Sequence, residues 1–309
     1  MDKNSENCGS GEAWMSRYRP TACLHVTGED ALSFLQGQFT QELRSSAPES
    51  AAYGLWLNQK GKVLADSFVL REAPDNVWIV SFSSSASVIR ERLEAYVIAD
   101  DVVITDVTEK WQGVAVGGPE ITSWLAREMK GGIPAEGEFT RVGGGFVFHG
   151  RRDGVPSYEW LLPAGADAPT GPMEVDAGRL EKMRIAAALP KVPQDIGPGD
   201  LPNEGGLDAV AVSYTKGCYL GQEVMARLKA MGTVRRRLVR VRAEGRTAPP
   251  VPSALLQGEK RVGELRSAVA DGEGGFIGLA MVAKIGLDPA ALLAPEPGGV
   301  GFIELIDLP

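Results

Sequence analysis

The chain has 309 residues, of which 44% are hydrophobic, and a formal net charge of −8 at pH 7. This length allows two or three domains with an ample core, whereas the acidic balance argues against a general nucleic-acid coat or an anionic membrane surface, since both reward a basic face. No apolar run approaches the roughly 18 residues of a transmembrane helix, so no membrane partner is expected. The polar start over 1–14 is predicted to be a flexible tail rather than a signal or transit peptide.

The thiols and imidazoles are few and scattered. Cys8, Cys23 and Cys218 are odd in number and widely separated, which fits neither a disulfide framework nor a C-x-x-C metal site, so a reducing cytoplasm and no metal site are expected. His25 and His149 are the only histidines, and each lies in a predicted strand. A structural role is therefore expected for both, because two histidines leave little scope for a histidine zinc site or a Ser-His-Asp triad.

In the first third of the chain, strands alternate with short helices. The predicted elements are a strand over 21–26, a helix over 31–43 capped by Asp30, strands over 63–70 and 77–82 that should pair as a hairpin, a helix over 87–99 and a strand over 102–107. Because the alternation lacks long βαβ regularity, an α+β layer arrangement is predicted.

The remaining elements suggest a second α+β unit and an all-β end. The predictions are strands over 112–116, 143–150 and 157–162, helices over 119–129, 178–189 and 222–231, an irregular crossing segment over 190–202, and late strands over 238–242, 260–265, 276–281 and 300–306. Short strands broken by Gly and Pro indicate a small β-barrel at this end.

The segment Lys216-Gly217-Cys218-Tyr219-Leu220-Gly221-Gln222-Glu223 places a cysteine between a lysine and a predicted helix start. The partial positive charge of a helix N-terminus and the Lys216 ammonium would both favour the thiolate, which is the nucleophile and the metal ligand. Alternatively, Cys218 is a small buried hydrophobic residue in a glycine-rich turn.

This motif, followed by Ala226-Arg227, resembles the signature of the YgfZ family of folate-binding proteins, which is related to the aminomethyltransferase (T-protein) of the glycine cleavage system. The resemblance covers roughly residues 20 to 285. It implies a three-domain, ring-like α+β fold with folate in the central opening. The implied units are a discontinuous folate-binding domain over 15–109 plus 176–232, a second α+β domain over 110–175, and a C-terminal β-barrel over 233–309.

The resemblance also implies site residues. Asp66, which closes the segment Asn58-x-x-Gly61-Lys62-Val63-Leu64-x-Asp66, falls on the catalytic aspartate of the T-protein, and Ser157-Tyr158-Glu159 resembles its Gly-Tyr-Glu, whose glutamate receives the pterin ring. The implied catalytic residues are Cys218, Lys216 and Asp66. The implied folate-binding residues are Glu159, Asp66, Asn58, Tyr158, Arg184, Tyr219 and Gln222.

Physical chemistry supports the carboxylates but leaves alternatives open. A pterin presents an amide and amino edge, and one carboxylate can accept two hydrogen bonds from it, which suits Glu159. Glu159 could instead face solvent from a half-buried strand, and Asp66 could be a charged residue at a strand edge. The stretch from Asn58 to Lys62 is by itself only a hairpin turn.

The resemblance implies a protein that binds tetrahydrofolate, or a one-carbon derivative, and supports maturation or repair of iron–sulfur proteins, including radical enzymes that thiomethylate tRNA. The alternatives are a folate-dependent aminomethyl or one-carbon transferase and a scaffold in which folate is structural, so catalysis stays open. Ala186 stands where the T-protein pattern has a glutamate, and Cys218 where it usually has an aspartate. One cysteine cannot hold a cluster that normally needs four ligands.

A basic run between 224 and 243 lacks acidic residues. Its cations are Arg227, Lys229, Arg235, Arg236, Arg237, Arg240 and Arg242. Such a cluster could hold a polyglutamate tail, a phosphate or a tRNA backbone, but a solvated face is the commoner meaning, so direct tRNA binding is the less favoured interpretation.

Overall fold

The computed structural model describes residues 12–44, 47, 49–129 and 132–307, so Cys8 and most of the predicted tail lie outside the described residues. The helices are α1 Ala31–Gln38, α2 Ala86–Glu94, α3 Ile121–Glu128, α4 Ala177–Ala186, α5 Asp208–Ala211 and α6 Gln222–Met231. The strands are β1 Trp14–Tyr18, β2 Ala22–Thr27, β3 Ser50–Leu57, β4 Val63–Ala73, β5 Asn76–Ser81, β6 Val103–Asp106, β7 Trp111–Gly117, β8 Phe139–Val142, β9 Gly145–His149, β10 Ser157–Pro163, β11 Met173–Glu174, β12 Arg236–Ala243, β13 Ser253–Gln257, β14 Lys260–Ala270, β15 Phe276–Ala283 and β16 Glu304–Leu305.

Within the described part of the chain, these strands form three sheets. The first has the order β3-β4-β5-β2-β6, the second β11-β1-β7-β10-β9-β8 and the third β13-β14-β15-β12-β16. Helices α1 and α2 bury their apolar residues against the first sheet, and α3 does so against the second. Sheets that are almost wholly antiparallel with helices packed on them make an α+β fold, as predicted.

Strand β1 was not predicted, although it positions part of the site. It pairs with β7, which in turn pairs with β10, so that Ser16, Ala115 and Glu159 lie in one row across the second sheet. Because strand side chains alternate between faces, Tyr18 shares the face of Glu159, whereas Tyr158 lies on the opposite face. Tyr158 accordingly packs in the core that contains α3.

The first two sheets meet across a shared aromatic core. Phe68 of the first sheet packs on Phe148 of the second with ring centroids 5.1 Å apart, and Cys23 is fully buried in the same core. The two histidines have structural contacts, as expected. His25 stacks on Trp78 at 4.1 Å, and His149 lies 4.4 Å from the ring of Tyr158.

Several predicted elements are shorter in the structure because tertiary contacts end them. Helix α1 stops at Gln38, since the next residue is extended and the Thr40 hydroxyl donates to the Ala211 carbonyl at 2.6 Å. Asp30 does not cap this helix with its side chain; its carboxylate accepts from the Asp101 N–H at 3.0 Å. Among the described residues, no helix is long and apolar enough to cross a bilayer.

Ion pairs hold the C-terminal sheet to the proline-rich crossing segment over 190–202, which is irregular, as predicted. Arg266 on β14 pairs with the buried Asp200, and the hydroxyl of Ser267 donates to Asp195 at 2.6 Å. The predicted last strand shortens to β16. Isolated bridges join Leu256 to Ala294 and Leu293 to Ile303, so the two edges of this sheet are linked through the chain's last turns.

Candidate functional site

A cavity of about 240 Å³ lies between the first two sheets and α4. Four aromatic rings line it, namely Tyr18, Tyr53, Phe68 and Phe82. The ionisable side chains on its wall are Arg17, Asp66, Arg151, Arg152, Glu181, Arg184 and Lys191. Aromatic surface interrupted by a few polar groups is the usual composition of a small-molecule site.

Asp66 projects from β4 into this cavity. Its Oδ1 accepts from Ser84 at 2.7 Å and Ser81 at 3.3 Å, and its Oδ2 accepts from the Tyr53 hydroxyl at 2.9 Å. Burial raises the pKa of Asp66, although these three hydroxyl groups act in the opposite direction. The side chain is therefore an oriented carboxyl group that holds its proton more tightly than an exposed aspartate does.

Glu159 is buried with no exposed surface, so the alternative that it faces solvent is wrong. Both of its oxygens accept from one guanidinium group, with Nε of Arg152 at 2.6 Å from Oε1 and Nη2 at 3.0 Å from Oε2. Such a bidentate pair is strong and directional. Arg152, rather than Glu159, is the member of the pair that lines the cavity.

Sequence reasoning missed Arg152 and Tyr18. The Arg152 guanidinium lies 3.9 Å from the Phe82 ring centroid and 4.5 Å from that of Tyr18. Burial lowers the pKa of Arg152, but the charge and hydrogen bonds of Glu159 outweigh this and raise it overall. A signal was present, since Arg151 and Arg152 form an adjacent pair in a glycine-containing loop between two strands.

Tyr18 carries a buried hydroxyl group that has no hydrogen-bond partner among the described residues. Burial and the negative charge of Glu159 raise the pKa of Tyr18 well above its usual value, so the phenol stays protonated. Native proteins rarely leave a buried polar group unpaired, and each such group needs an explanation.

A second cavity, of about 830 Å³, shares Tyr53, Phe68 and Arg151 with the first. The Arg151 guanidinium lies 4.7 Å from the centre of the Tyr53 ring. These stacked side chains form a common wall between the two spaces.

Arg184 reaches the cavity wall, but neighbouring groups occupy its guanidinium. Glu181 accepts from Nε at 3.0 Å and from Nη2 at 2.6 Å, and Asp195 accepts from Nη1 at 2.7 Å. Arg184 thus helps to shape the cavity wall, while its guanidinium group, which was expected to contact folate, is hydrogen-bonded to these neighbours. Tyr158, expected beside the folate, does not line either cavity.

The cysteine loop lies elsewhere. Helix α6 spans Gln222–Met231 and ends at the left-handed Gly232, as predicted. Cys218 is exposed, so the alternative of a buried hydrophobic residue is wrong. Cys218 does not line either cavity.

Lys216 is buried and points away from the expected role. Its Nζ donates to the carbonyl oxygens of Gln36 at 2.8 Å, Phe39 at 2.7 Å and Gln41 at 2.8 Å. These bonds use its three donors, and burial lowers the pKa of Lys216 to about 8. Lys216 therefore anchors the loop to the end of α1. None of these contacts joins its ammonium group to Cys218, with whose thiolate it was expected to pair.

The other predicted folate ligands surround this loop. Tyr219 packs in an apolar core, and burial raises its pKa to about 12. Gln222 donates from Nε2 to the Lys216 carbonyl at 3.5 Å. Asn58 holds its hairpin turn, its Oδ1 accepting from the N–H groups of Lys60 at 2.9 Å and Lys62 at 3.1 Å.

Apart from Tyr158, which packs in the core that contains α3, the structure separates the predicted residues into two places. Asp66 and Arg184 line the cavity, with Glu159 behind Arg152. Lys216, Cys218, Tyr219, Gln222 and Asn58 belong to the loop and its surroundings. Within the described ranges, no group of three or more His, Cys, Asp or Glu side chains could hold a metal ion.

Part of the basic run is paired with acidic residues. Arg236 pairs with Glu204 at 2.9 Å and Asp200 at 3.0 Å, Arg240 with Asp307 at 2.8 Å, and Arg242 with Glu304 at 2.7 Å. This pattern supports the solvated, structural interpretation of the run over a nucleic-acid contact.

Comparison with known proteins agrees with this architecture. The family model described as the GCVT N-terminal domain matches residues 19–135. A mouse protein named iron-sulfur cluster assembly factor IBA57, mitochondrial, is 29% identical over 271 residues, covering 80% of this chain and 70% of the relative. The tRNA-modifying protein YgfZ of Vibrio vulnificus is 27% identical over 251 residues, covering 78% and 73%.

Aminomethyltransferases are similar to the chain as well. That of Bacillus cytotoxicus is 24% identical over 264 residues, covering 79% of this chain and 71% of the relative. The crystal structure of the glycine cleavage aminomethyltransferase T from Bartonella henselae superimposes with a TM-score of 0.79 over 98% of this chain and 87% of that chain, at 17% identity, and so shows the same fold. The chain is therefore similar in sequence to proteins named YgfZ and IBA57 and to aminomethyltransferases, and residues 19–135 match the GCVT N-terminal domain.

Proposed function

We propose that this protein binds tetrahydrofolate, or a one-carbon derivative of it, in the cavity around Asp66 and supports maturation or repair of iron–sulfur proteins. The observation that carries the proposal is a cavity lined by four aromatic rings and a half-buried, hydrogen-bonded carboxyl group. Aromatic faces suit a flat bicyclic ring. The unpartnered Tyr18 hydroxyl is the kind of group that a polar ligand edge would satisfy.

The chain's own residues would bind and orient the ligand. When bound, a reduced folate would carry a one-carbon group on nitrogen. Asp66, oriented by Tyr53 and Ser84, can hold a proton beside a ligand nitrogen or release it. Phe68 and Phe82 exclude water from the ring faces.

The cysteine loop supports a second contact surface. Cys218 is exposed, whereas Lys216 beneath it is bonded to three backbone carbonyl groups, so the thiol is presented on a fixed loop. We assign this surface to iron–sulfur client proteins, such as tRNA-thiomethylating radical enzymes. The names of the relatives, one an iron–sulfur cluster assembly factor and one a tRNA-modifying protein, support this assignment. Direct tRNA binding has no part in the proposal.

The wider organisation follows the same proposal. The chain is divided into a folate-binding unit over 15–109 plus 176–232, a second unit over 110–175 and a β-barrel over 233–309, arranged as a ring. The bridged edges of the third sheet support the barrel, and the aminomethyltransferase fold supports the arrangement. In sequence, strand β1 lies at the start of the proposed folate-binding unit. In the structure it pairs with β7 of the second sheet. A cytoplasmic location completes the proposal.

Filling the cavity tests the folate site. Leu180 lines the cavity, so Leu180→Trp should abolish the heat of tetrahydrofolate binding in anaerobic calorimetry. The control is Ile285→Trp, since Ile285 is 83% exposed and does not line the cavity. Binding by Leu180→Trp with the affinity of the unaltered protein would refute the site.

The client role has its own test. In cells that lack their own family member, Cys218→Ser should bind folate yet fail to restore iron–sulfur enzyme activity. Full rescue by this variant would make the thiol dispensable and remove the loop from the mechanism.

A folate-dependent aminomethyl transferase is the second candidate, and the oriented carboxyl group of Asp66 favours it. The departure at Ala186 opposes it, because a carboxylate of the T-protein pattern is missing there. We expect no substantial ammonia release from aminomethyl-lipoyl protein with tetrahydrofolate. Turnover at ordinary enzyme rates, of order 1–1000 per second, would promote this candidate.

A further inference from the structure

The end of the cavity beside Phe82 presents hydrogen-bond donors. Nε and Nη2 of Arg152 are engaged by Glu159, and no hydrogen bond within the described residues uses Nη1. The Tyr18 hydroxyl, on the same wall, is buried and has no partner. It lies close to both members of the ion pair, and both act on its pKa.

The carboxylate oxygens at this end already accept hydrogen bonds from the protein. Both oxygens of Glu159 accept from Arg152, and both oxygens of Asp66 accept from hydroxyl groups. A ligand that offers only N–H donors to this wall would therefore leave the donors of Arg152 and Tyr18 unpaired. Unpaired buried polar groups are costly, so the wall discriminates against such a ligand.

We propose that Arg152 and Tyr18 form an acceptor-selective subsite, which receives a ring carbonyl oxygen of the bound ligand, while Glu159 acts only by orienting Arg152. This inference rests on the proposed folate function and names the edge of the pterin that is recognised. It differs from the sequence-based expectation, in which Glu159 itself accepts hydrogen bonds from the amide and amino edge.

The size of the cavity selects the ring carbonyl over the carboxylates of the folate tail. The subsite lies in the smaller cavity, about 240 Å³, between the rings of Tyr18 and Phe82, which suits a flat group. The tail is long and charged, and the adjoining space of about 830 Å³ offers it more room. Phe82 and Tyr18 meet edge to face at 5.3 Å, so the Arg152 guanidinium rests against both rings and is held in place.

The test compares tetrahydrofolate with tetrahydroaminopterin, in which an amino group replaces the ring carbonyl oxygen. Calorimetric titration of the unaltered protein should give an affinity for tetrahydrofolate higher by about 10- to 100-fold, the range expected when hydrogen bonds to buried groups are lost. Methyltetrahydropterin and its amino counterpart, which lack the tail, should show the same preference.

Two variants assign the preference to the named groups. Tyr18→Phe removes a hydroxyl that has no partner, so it should leave thermal stability unchanged and lower the preference severalfold. Arg152→Lys keeps a cation beside Glu159 but loses the forked guanidinium, and should also lower the preference. Arg246→Lys is the matched control, since Arg246 likewise rests on an aromatic ring, that of Phe302, outside both cavities.

The outcomes separate this inference from the proposed function. Equal affinity for the two ligands, or an unchanged preference in both variants, would overturn the subsite while leaving folate binding intact. A preference that vanishes with the tailless pair would show that the ring alone does not engage these donors, and would also overturn it. Failure of all four compounds to bind the unaltered protein would overturn the proposed function and the subsite together.

Discussion

At the scale of single residues, Asp66 shows burial and hydrogen bonding acting in opposition on one carboxyl group. Burial prevails and raises its pKa, so the ionised form destabilises the folded state relative to an exposed aspartate. Stability should therefore fall as the pH rises from the unfolded pKa, about 3.9, towards the higher folded pKa. The folded state is the form that binds this proton more tightly.

We predict that Asp66→Asn is more stable than the unaltered protein at pH 7, by roughly 1 kcal/mol, because the amide is neutral and its oxygen still accepts from Ser84. The gain should shrink below the unfolded pKa and be nearly gone at about pH 3, where Asp66 is mostly protonated in both states. Thermal unfolding across this pH range measures it, with the exposed Asp75→Asn as control. A gain that persists at acid pH would contradict the assignment to charge.

Lys216 gives a prediction of the opposite slope. Lys216→Met should destabilise the fold by roughly 2–3 kcal/mol, because the buried carbonyl groups of Gln36 and Phe39 lose a donor. Its folded pKa of about 8 lies below the unfolded value of about 10.4, so the stability of the unaltered protein rises between these pH values. The deficit of the variant should widen from pH 8 to pH 10. The exposed Lys60→Met should show neither effect.

At the scale of elements, the sequence predicts what local signals specify. The boundaries of α6 and the pairing of β4 with β5 as a hairpin are confirmed because their apolar spacing and turn residues are local. Strand β1 carries a signal of only five residues, WMSRY, and becomes a strand by pairing with β7, far along the chain. No sequence pattern could reveal that pairing.

The site shows the same division. Asp66 was singled out by the resemblance and lines the cavity, whereas the residues alone left open a charged residue at a strand edge. The partner of Glu159 was missed because Arg152 reaches it from a loop, and loop conformation is not periodic. Lys216 was misassigned because its partners are backbone carbonyl groups, which every residue possesses.

Two glycines in the cysteine loop provide a matched pair for an element-scale prediction. Gly221 has φ +88°, and a Cβ there would lie 2.9 Å from the Asn58 carbonyl oxygen, whereas a Cβ at Gly217 meets nothing within 4 Å. Gly221→Ala should therefore cost roughly 1–3 kcal/mol, and Gly217→Ala far less. Denaturant unfolding compares them. Equal losses would show that the turn does not require the close approach of the β3–β4 hairpin.

At the scale of the whole molecule, Asp200 links the crossing segment to the third sheet. Its carboxylate accepts from Arg266, from Arg236 at 3.0 Å and from the Gly197 N–H at 2.9 Å. Burial acts to raise the pKa of Asp200, but Arg266 and the Gly197 N–H lower it overall. The stabilisation is therefore present above the unfolded pKa, about 3.9, and lost as the pH falls towards the folded pKa.

Asp200→Asn should destabilise the protein by roughly 3 kcal/mol at pH 7, because it removes one partner of a largely buried pair. The difference from the unaltered protein should shrink as the pH falls below about 4. Thermal unfolding at pH 7 and pH 3.5 measures both effects, with the exposed Asp100→Asn as control. A pH-independent deficit would assign the loss to altered packing.

The wall shared by the two cavities, where Arg151 rests on Tyr53, also bears on how events on its two sides affect each other. A molecule that displaces Arg151 from the larger side changes the shape of the smaller side, and therefore the affinity there. Thermodynamic reciprocity requires an equal effect in the other direction. Occupancy of one cavity is thus communicated to the other through a single stacked pair, whichever of the two is filled first.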